Sequence, residues 1–200
     1  MLEHTPSPKH ILVDLLAIQC QLKTLFPEPE YKAIVAFLTA KDYYNDYDLA
    51  YPTLKEVEAG TGLKTAHLRK LLLEMYDKIF NPETNLSLDF GKTEITFYLN
   101  NYKIYGQFAV DDLKHLPRVG EKIELPFVNA KVNSKHFYVE KVDHTFESNT
   151  QKILLWLKSG FYNSYWELRK DEALLKGEIS LNDEYALYDF QLKEKLGLPT

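Results

Sequence analysis

The sequence predicts an α+β fold in which helices come first, short strands follow and helices return. Apolar residues recur at helical spacing up to about residue 79, the period changes to two after Asn81-Pro82, and helical spacing returns after Ser159. The composition fits a chain with a packed core. Of 200 residues 45% are hydrophobic, with 8 Gly and 9 Pro, which excludes disordered and collagen-like classes. The formal net charge of −5 argues against coating nucleic acid by bulk charge.

Residues 7–26 read as one helix. Ser7 caps it, Pro8 suits the first turn, and Ile11, Leu12, Leu15, Leu16, Leu22 and Phe26 recur on one side. Pro27-Glu28-Pro29 ends it. A second helix spans 30–43, with Ile34, Val35, Phe37 and Leu38 as its stripe, and an acidic, tyrosine-rich loop follows it. Thr53 and Glu56 have capping-box spacing and open a helix to about Ala59. Gly60-Thr61-Gly62 makes a turn, and a long helix covers 64–79.

Leu86, Leu88 and Phe90 alternate with polar residues, as do Ile95, Phe97 and Leu99, with Gly91-Lys92 between them. This pattern predicts a β-hairpin. Further strands over 102–110, 122–128, 136–146 and 151–157 predict a small antiparallel β-barrel. Helices follow over 162–175 and from Ser180, paired with Asp183, to Leu196. The expected segments are therefore 1–29, a helix and linker; 30–100, the first domain; 101–158, the barrel; and 159–200, the C-terminal helices. Phe161, Tyr162, Tyr165, Trp166, Tyr185, Tyr188 and Phe190 crowd the last segment. They need burial on the barrel or on a second subunit, so these helices are the expected homo-oligomer interface.

Cys20 is the sole cysteine, which excludes an intramolecular disulfide and a cysteine-rich zinc site. Its apolar neighbours predict that it is buried. The stretch from Ile11 to Cys20 is interrupted by Asp14, is too short to span a bilayer, and lacks the flanks of a signal peptide. A cytoplasmic protein is expected.

The most informative stretch is LKEVEAGTGLKTAHLRKLL, residues 54–72. Leu54 and Val57 face a core from one helix. Gly62 sits where the turn needs positive φ, Leu63 plugs the turn, and Leu68, Leu71 and Leu72 face back from the second helix. This is the apolar skeleton of a helix-turn-helix. Lys64, Thr65, His67, Arg69 and Lys70 are left to solvent. Residues 64–70 carry +3, while 1–100 sum to −4 and 101–200 to −1. Lys and Arg bind phosphates, Arg also reads guanine edges, and Thr65 lies where a helix N-terminus meets a phosphate. The predicted hairpin then has Lys92 at its tip.

On these residues the chain resembles the winged helix-turn-helix superfamily over about residues 30–100. Tyr51-Pro52-Thr53 followed by LKEVEAGTGL is similar to a narrower group of phage replisome organisers, plasmid replication proteins and regulators. The resemblance implies a DNA-binding regulator or mobile-element replication accessory. Residues 64–70 would enter the major groove of double-stranded DNA, and Lys92 would touch its backbone from the wing. No cofactor or metal is expected. Two positions depart from the pattern. Glu58 stands where the family has a small residue, and the second helix ends in Leu73–Ile79 without the usual Gly.

A non-catalytic protein-interaction role is the alternative, motivated by the net charge, Glu58 and the acidic loop. Asp111 and Asp112 precede His115, and Asp143 precedes His144, a spacing that matches no zinc motif; an enzyme would need Asp111, His115 and Asp143 or His144 to converge in one pocket. Residues 116–123, LPRVGEKI, resemble the entry to SH3-like barrels, and Lys131, Lys135, His136 and Lys141 read as a solvated basic strip.

Overall fold

The computed structural model describes residues 6–199. Two compact units divide the chain: Met1–Thr93 with Thr145–Lys152, and Glu94–His144 with Ile153–Thr200.

The first unit is helical: α1 (Pro8–Ala17), α2 (Leu22–Leu25), α3 (Lys32–Leu38), α4 (Leu54–Thr61) and α5 (Thr65–Phe80). Ser7 accepts the N–H of His10 and Pro8 fills the first helical position, as expected. The helix predicted over 7–26 breaks, however. Ile18 leaves helical geometry, and a 3₁₀ turn, Gln19–Gln21, separates α1 from α2. That turn exposes Cys20 and buries Gln21, opposite to the expectation for the cysteine. The Gln21 carboxamide has work there. Its Nε2 donates to the Ser148 carbonyl, and its Oε1 accepts the Asp89 N–H at 2.8 Å. One buried polar side chain thus ties down two segments distant in sequence, and its own polar atoms are satisfied. Ile11, Leu12, Leu15 and Leu16 of α1 share one core with Ile34 and Leu38 of α3 and Leu68, Leu72 and Met75 of α5.

Glu94–His144 and Ile153–Thr200 are built on a five-stranded sheet of order β2-β1-β5-β4-β3. Its strands are β1 (Lys92–Asn101), β2 (Ile104–Val110), β3 (Lys122–Glu124), β4 (His136–Glu147) and β5 (Thr150–Ser159), with the short α6 (Asn129–Val132) before β4. β1 pairs antiparallel with β2, and β3 with β4. β1 and β5 run in the same direction: the Lys92 N–H donates to the Asn149 carbonyl at one end, and Ser159 Oγ to Asn101 Oδ1 at the other. Ile95, Phe97 and Leu99 point into a core with Phe137, Val139, Leu155 and Leu157, roofed by Val128 and Val132. The period of two in β1 is therefore as the sequence predicts.

Two expectations are corrected. The sheet is mixed and open, not a closed antiparallel barrel. Closure needs β2 to pair with β3, but β3 is three residues long and Leu125-Pro126 turns the chain into a 3₁₀ turn and α6. The hairpin over 86–99 does not form either. Residues 85–91 carry no strand, and Gly91 has no positive φ, so the chain runs straight on into β1. The tight reversal comes later, at Tyr102 and Lys103, with φ of 47° and 72°. A two-residue turn with both central residues in that region normally calls for Asn-Gly. Here Tyr188 supports it: its ring meets Tyr102 edge-on and lies 4.9 Å from the Lys103 ammonium.

The C-terminal helices are α7 (Ser164–Leu175), α8 (Leu181–Ala186) and α9 (Asp189–Lys195). Ser180 and Asp183 form the predicted capping box, but the helix expected to reach Leu196 breaks at Leu187, which is extended. Trp166, Ala173, Ile179 and Leu192 form a small core of their own. Of the C-terminal aromatics only Trp166 is deeply buried, whereas Phe161, Tyr165, Tyr185 and Phe190 are exposed. No helix among the described residues is long and apolar enough to cross a membrane.

Candidate nucleic-acid interface

Local rules build α4, its turn and α5. The backbone N–H of Thr53 donates to Glu56 Oε2 at 2.7 Å, and Thr53 Oγ1 accepts the N–H of Glu56, closing the capping box that starts α4. That N–H, and then the Thr53 hydroxyl, hold the Glu56 carboxyl below its ordinary range. Gly62 ends α4 at φ 72°, its N–H donating to the Glu58 carbonyl. Leu63 is half-buried against the core, in the plugging position predicted for it. The close approach between α3 and α4 falls at Gly60, where a Cβ would run into the Phe37 ring. Glu58 does not occupy that spot and is half-buried.

α5 buries Leu68, Leu71, Leu72 and Met75 and leaves its N-terminal half in solvent. Lys64, Thr65, His67, Arg69 and Lys70 are all exposed, as predicted. Lys64 occupies the cap position in extended geometry and makes no side-chain cap, so the first-turn N–H groups point outward without one. Lys70 lies 3.5 Å from Glu74; Lys64 and Arg69 form no ion pair among the described residues. The acids that would spoil this surface are partly engaged elsewhere. Glu56 folds back on Thr53, and Asp46 accepts the N–H of Asp48 inside its own loop. Asp42 accepts from Gln19 and Asn45.

The second half of α5 is different. His67, Lys70, Glu74, Asp77 and Lys78 line a groove of about 550 Å³ with Glu30 and Tyr31 of the preceding segment. Lys78 is held at 3.2 Å from Glu28 and 4.7 Å from the Tyr31 ring centre. Its contact with Tyr31, then its hydrogen bond to Glu28, lift its ammonium above the ordinary range. Unpaired positive charge is therefore confined to the start of the helix.

Lys92 does not join this group as a wing tip. It opens β1, its backbone bonded to Asn149, because the hairpin expected to carry it is absent. The other motifs resolve into structure. Residues 116–123 make the turn into β3, where the Gly120 N–H donates to Val139 and Glu121 closes on Arg118. Lys135 and Lys141 pair with Glu124 and Asp143. Asp143 also accepts from Trp156 Nε1 at 2.8 Å. Its contact with Lys141, followed by that with Trp156, keeps the carboxyl low. No group of three or more His, Cys, Asp or Glu able to hold a metal occurs among the described residues.

The sequence reading does not single out the open face of the sheet. There Tyr98 stacks on Trp156, centroids 4.5 Å apart, beside a cavity of about 460 Å³ that Asn100, Tyr105 and Gln107 also line. The alternation through β1 signals one outward side chain; only strand order shows that Trp156 lies next to it.

No protein-family model, curated protein or solved structure matches this chain.

Proposed function

We propose that the protein binds double-stranded DNA through its helix-turn-helix, with the first two turns of α5 in the major groove. It would act as a regulator or as a replication accessory of a phage or plasmid, the class its sequence resembles. The observation that carries this reading is the exposure, side by side, of Lys64, Thr65, His67, Arg69 and Lys70 behind the Gly62 turn. Arg69 and Lys70 supply phosphate or guanine contacts, and the uncapped first-turn N–H groups of a 16-residue helix suit a phosphate. The local +3 acts at contact range, inside a Debye length of about 8–10 Å, so the net charge of −5 matters less than the immediate surroundings.

The test is a mobility shift on mixed duplexes over a salt series. Wild type is expected to bind with salt-sensitive affinity, and Arg69→Ala/Lys70→Ala to bind at least about tenfold more weakly with a shallower salt slope. No binding at low salt rejects the function; unchanged binding by the double variant rejects this surface.

One observation favours a second reading, a protein-interaction helix-turn-helix. Glu30, Glu74 and Asp77 line the groove that continues from Lys70. Phosphates following α5 that far would meet carboxylates, whereas a mixed-charge protein surface would not.

A further inference from the structure

β2 lies at the edge of the sheet, and its residues, Ile104–Val110, include no charge and no proline. Natural edges are usually blunted by one or the other, or covered. The hairpin geometry says which backbone groups are free. A two-residue turn at Tyr102-Lys103 makes Asn101 and Ile104 a hydrogen-bonded pair. Counting along the register, Ile104, Gly106, Phe108 and Val110 bond inward to β1. Tyr105, Gln107 and Ala109 turn their N–H and C=O groups outward, and no backbone partner meets them among the described residues.

We propose that this edge pairs with the same edge of a second copy, antiparallel, about a two-fold axis at Gln107. In that register every outward-facing residue meets another: Gln107 meets its own copy, and Tyr105 meets the copy's Ala109. The inference rests on the strand alone and is independent of DNA binding. Three features favour a second copy as the occupant. Bulk is complementary, with Tyr105 opposite Ala109. Charge is complementary as well. Lys103 and Asp111 stand equally far from Gln107 along the chain, so the axis brings each Lys103 to the copy's Asp111. Asp111 is exposed and forms no ion pair among the described residues. The Lys103 ammonium gives one hydrogen bond to the Ala186 carbonyl and keeps two donors. Finally, Phe127 is 70% exposed and packs edge-on against Phe108, so pairing covers apolar surface that the single chain leaves in water.

Sedimentation velocity on the full chain over a micromolar concentration series is the experiment, with circular dichroism checking the fold of each variant. Wild type is expected to dimerise. Gln107→Pro removes an outward N–H without touching the ladder to β1, and is expected to weaken the dimer at least about tenfold. Lys103→Asp and Asp111→Lys should each weaken it, and combining them should restore it. The charge arm decides if Gln107→Pro fails to fold. A monomeric wild type leaves the edge to a foreign strand and overturns the proposal. So does a dimer indifferent to Gln107→Pro, which places the contact elsewhere, for example on the exposed Tyr165, Leu168 and Leu175 of α7. A double swap no better than either single change overturns it too. Each of these outcomes leaves the mobility-shift result on Arg69 and Lys70 standing.

Discussion

The turn between α4 and α5 and the β1–β2 hairpin reverse the chain by opposite means. Between α4 and α5 the left-handed position is held by Gly62, the residue that adopts it without strain. Between β1 and β2 two such positions are held by Tyr102 and Lys103, with Tyr188 packed against both. Gly91-Lys92 looks like a turn in sequence and is not one. Between α4 and α5 local preference and final structure agree. In the sheet, tertiary contacts override local preference, and the reversal falls where strand pairing needs it.

The largest effects test what the two regions share, which is dense cores. Leu68 of α5 and Leu155 of β5 are both fully buried. Changing either to Ala is expected to cost about 3 kcal/mol in urea unfolding followed by far-UV circular dichroism. A loss under about 1 kcal/mol at Leu68 would mean that α5 does not anchor the core that presents Lys64 to Lys70. Gln21→Ala comes next. It strands the Ser148 carbonyl and the Asp89 N–H, and about 2 kcal/mol should be lost.

Gln21 also shows where sequence reading stops. Thr53 with Glu56, Gly62, and Ser180 with Asp183 are legible because each acts within a few residues of itself. The buried alternation Ile95, Phe97, Leu99 is legible for the same reason. The break at Ile18 is not, since it serves contacts to Asp89 and Ser148, far along the chain. Nor is the same-direction pairing of β1 and β5, or the open edge it leaves, because no local pattern says which strands become neighbours. The candidate site divides along this line. Thr65 to Lys70 lie on one helix, with Lys64 at its cap, and stand where helical periodicity puts them. Lys92 depended on a hairpin, and its place went to β1.

The turns themselves give a sharper comparison. Gly62→Ala should cost about 1 kcal/mol, because Ala pays a steric penalty at φ 72°. Gly91→Ala should be close to neutral, since ordinary φ holds there and only the flexible Asp89 carboxylate lies near a new Cβ. Lys103→Gly should stabilise by roughly 0.5–1 kcal/mol, read as a raised midpoint of tryptophan emission on heating. A destabilised Lys103→Gly would mean that the contact with Tyr188 outweighs the backbone strain.

The smallest effect separates two capping boxes that look alike. Glu56 and Asp183 both have carboxyls held below their ordinary range, but for different leading reasons. The Thr53 backbone N–H leads for Glu56; Lys195, 2.9 Å away, leads for Asp183, ahead of the Ser180 N–H. A carboxyl whose pKa is lower in the folded state stabilises above its unfolded pKa, and that contribution is lost as pH falls through the folded value. Both boxes should therefore weaken on acidification below about pH 5, where unfolded carboxyls begin to protonate. Glu56→Gln keeps an acceptor for the Thr53 N–H but cannot titrate, so its melting midpoint should fall less steeply with pH than that of wild type. Salt distinguishes the pair. The Lys195 contact is exposed and screened, so high salt should shrink the difference in pH slope between wild type and Asp183→Asn. It should leave the difference for Glu56→Gln in place, because a hydrogen bond to the backbone is not screened in that way. Equal salt responses would show that one mechanism, not two, holds these helix starts.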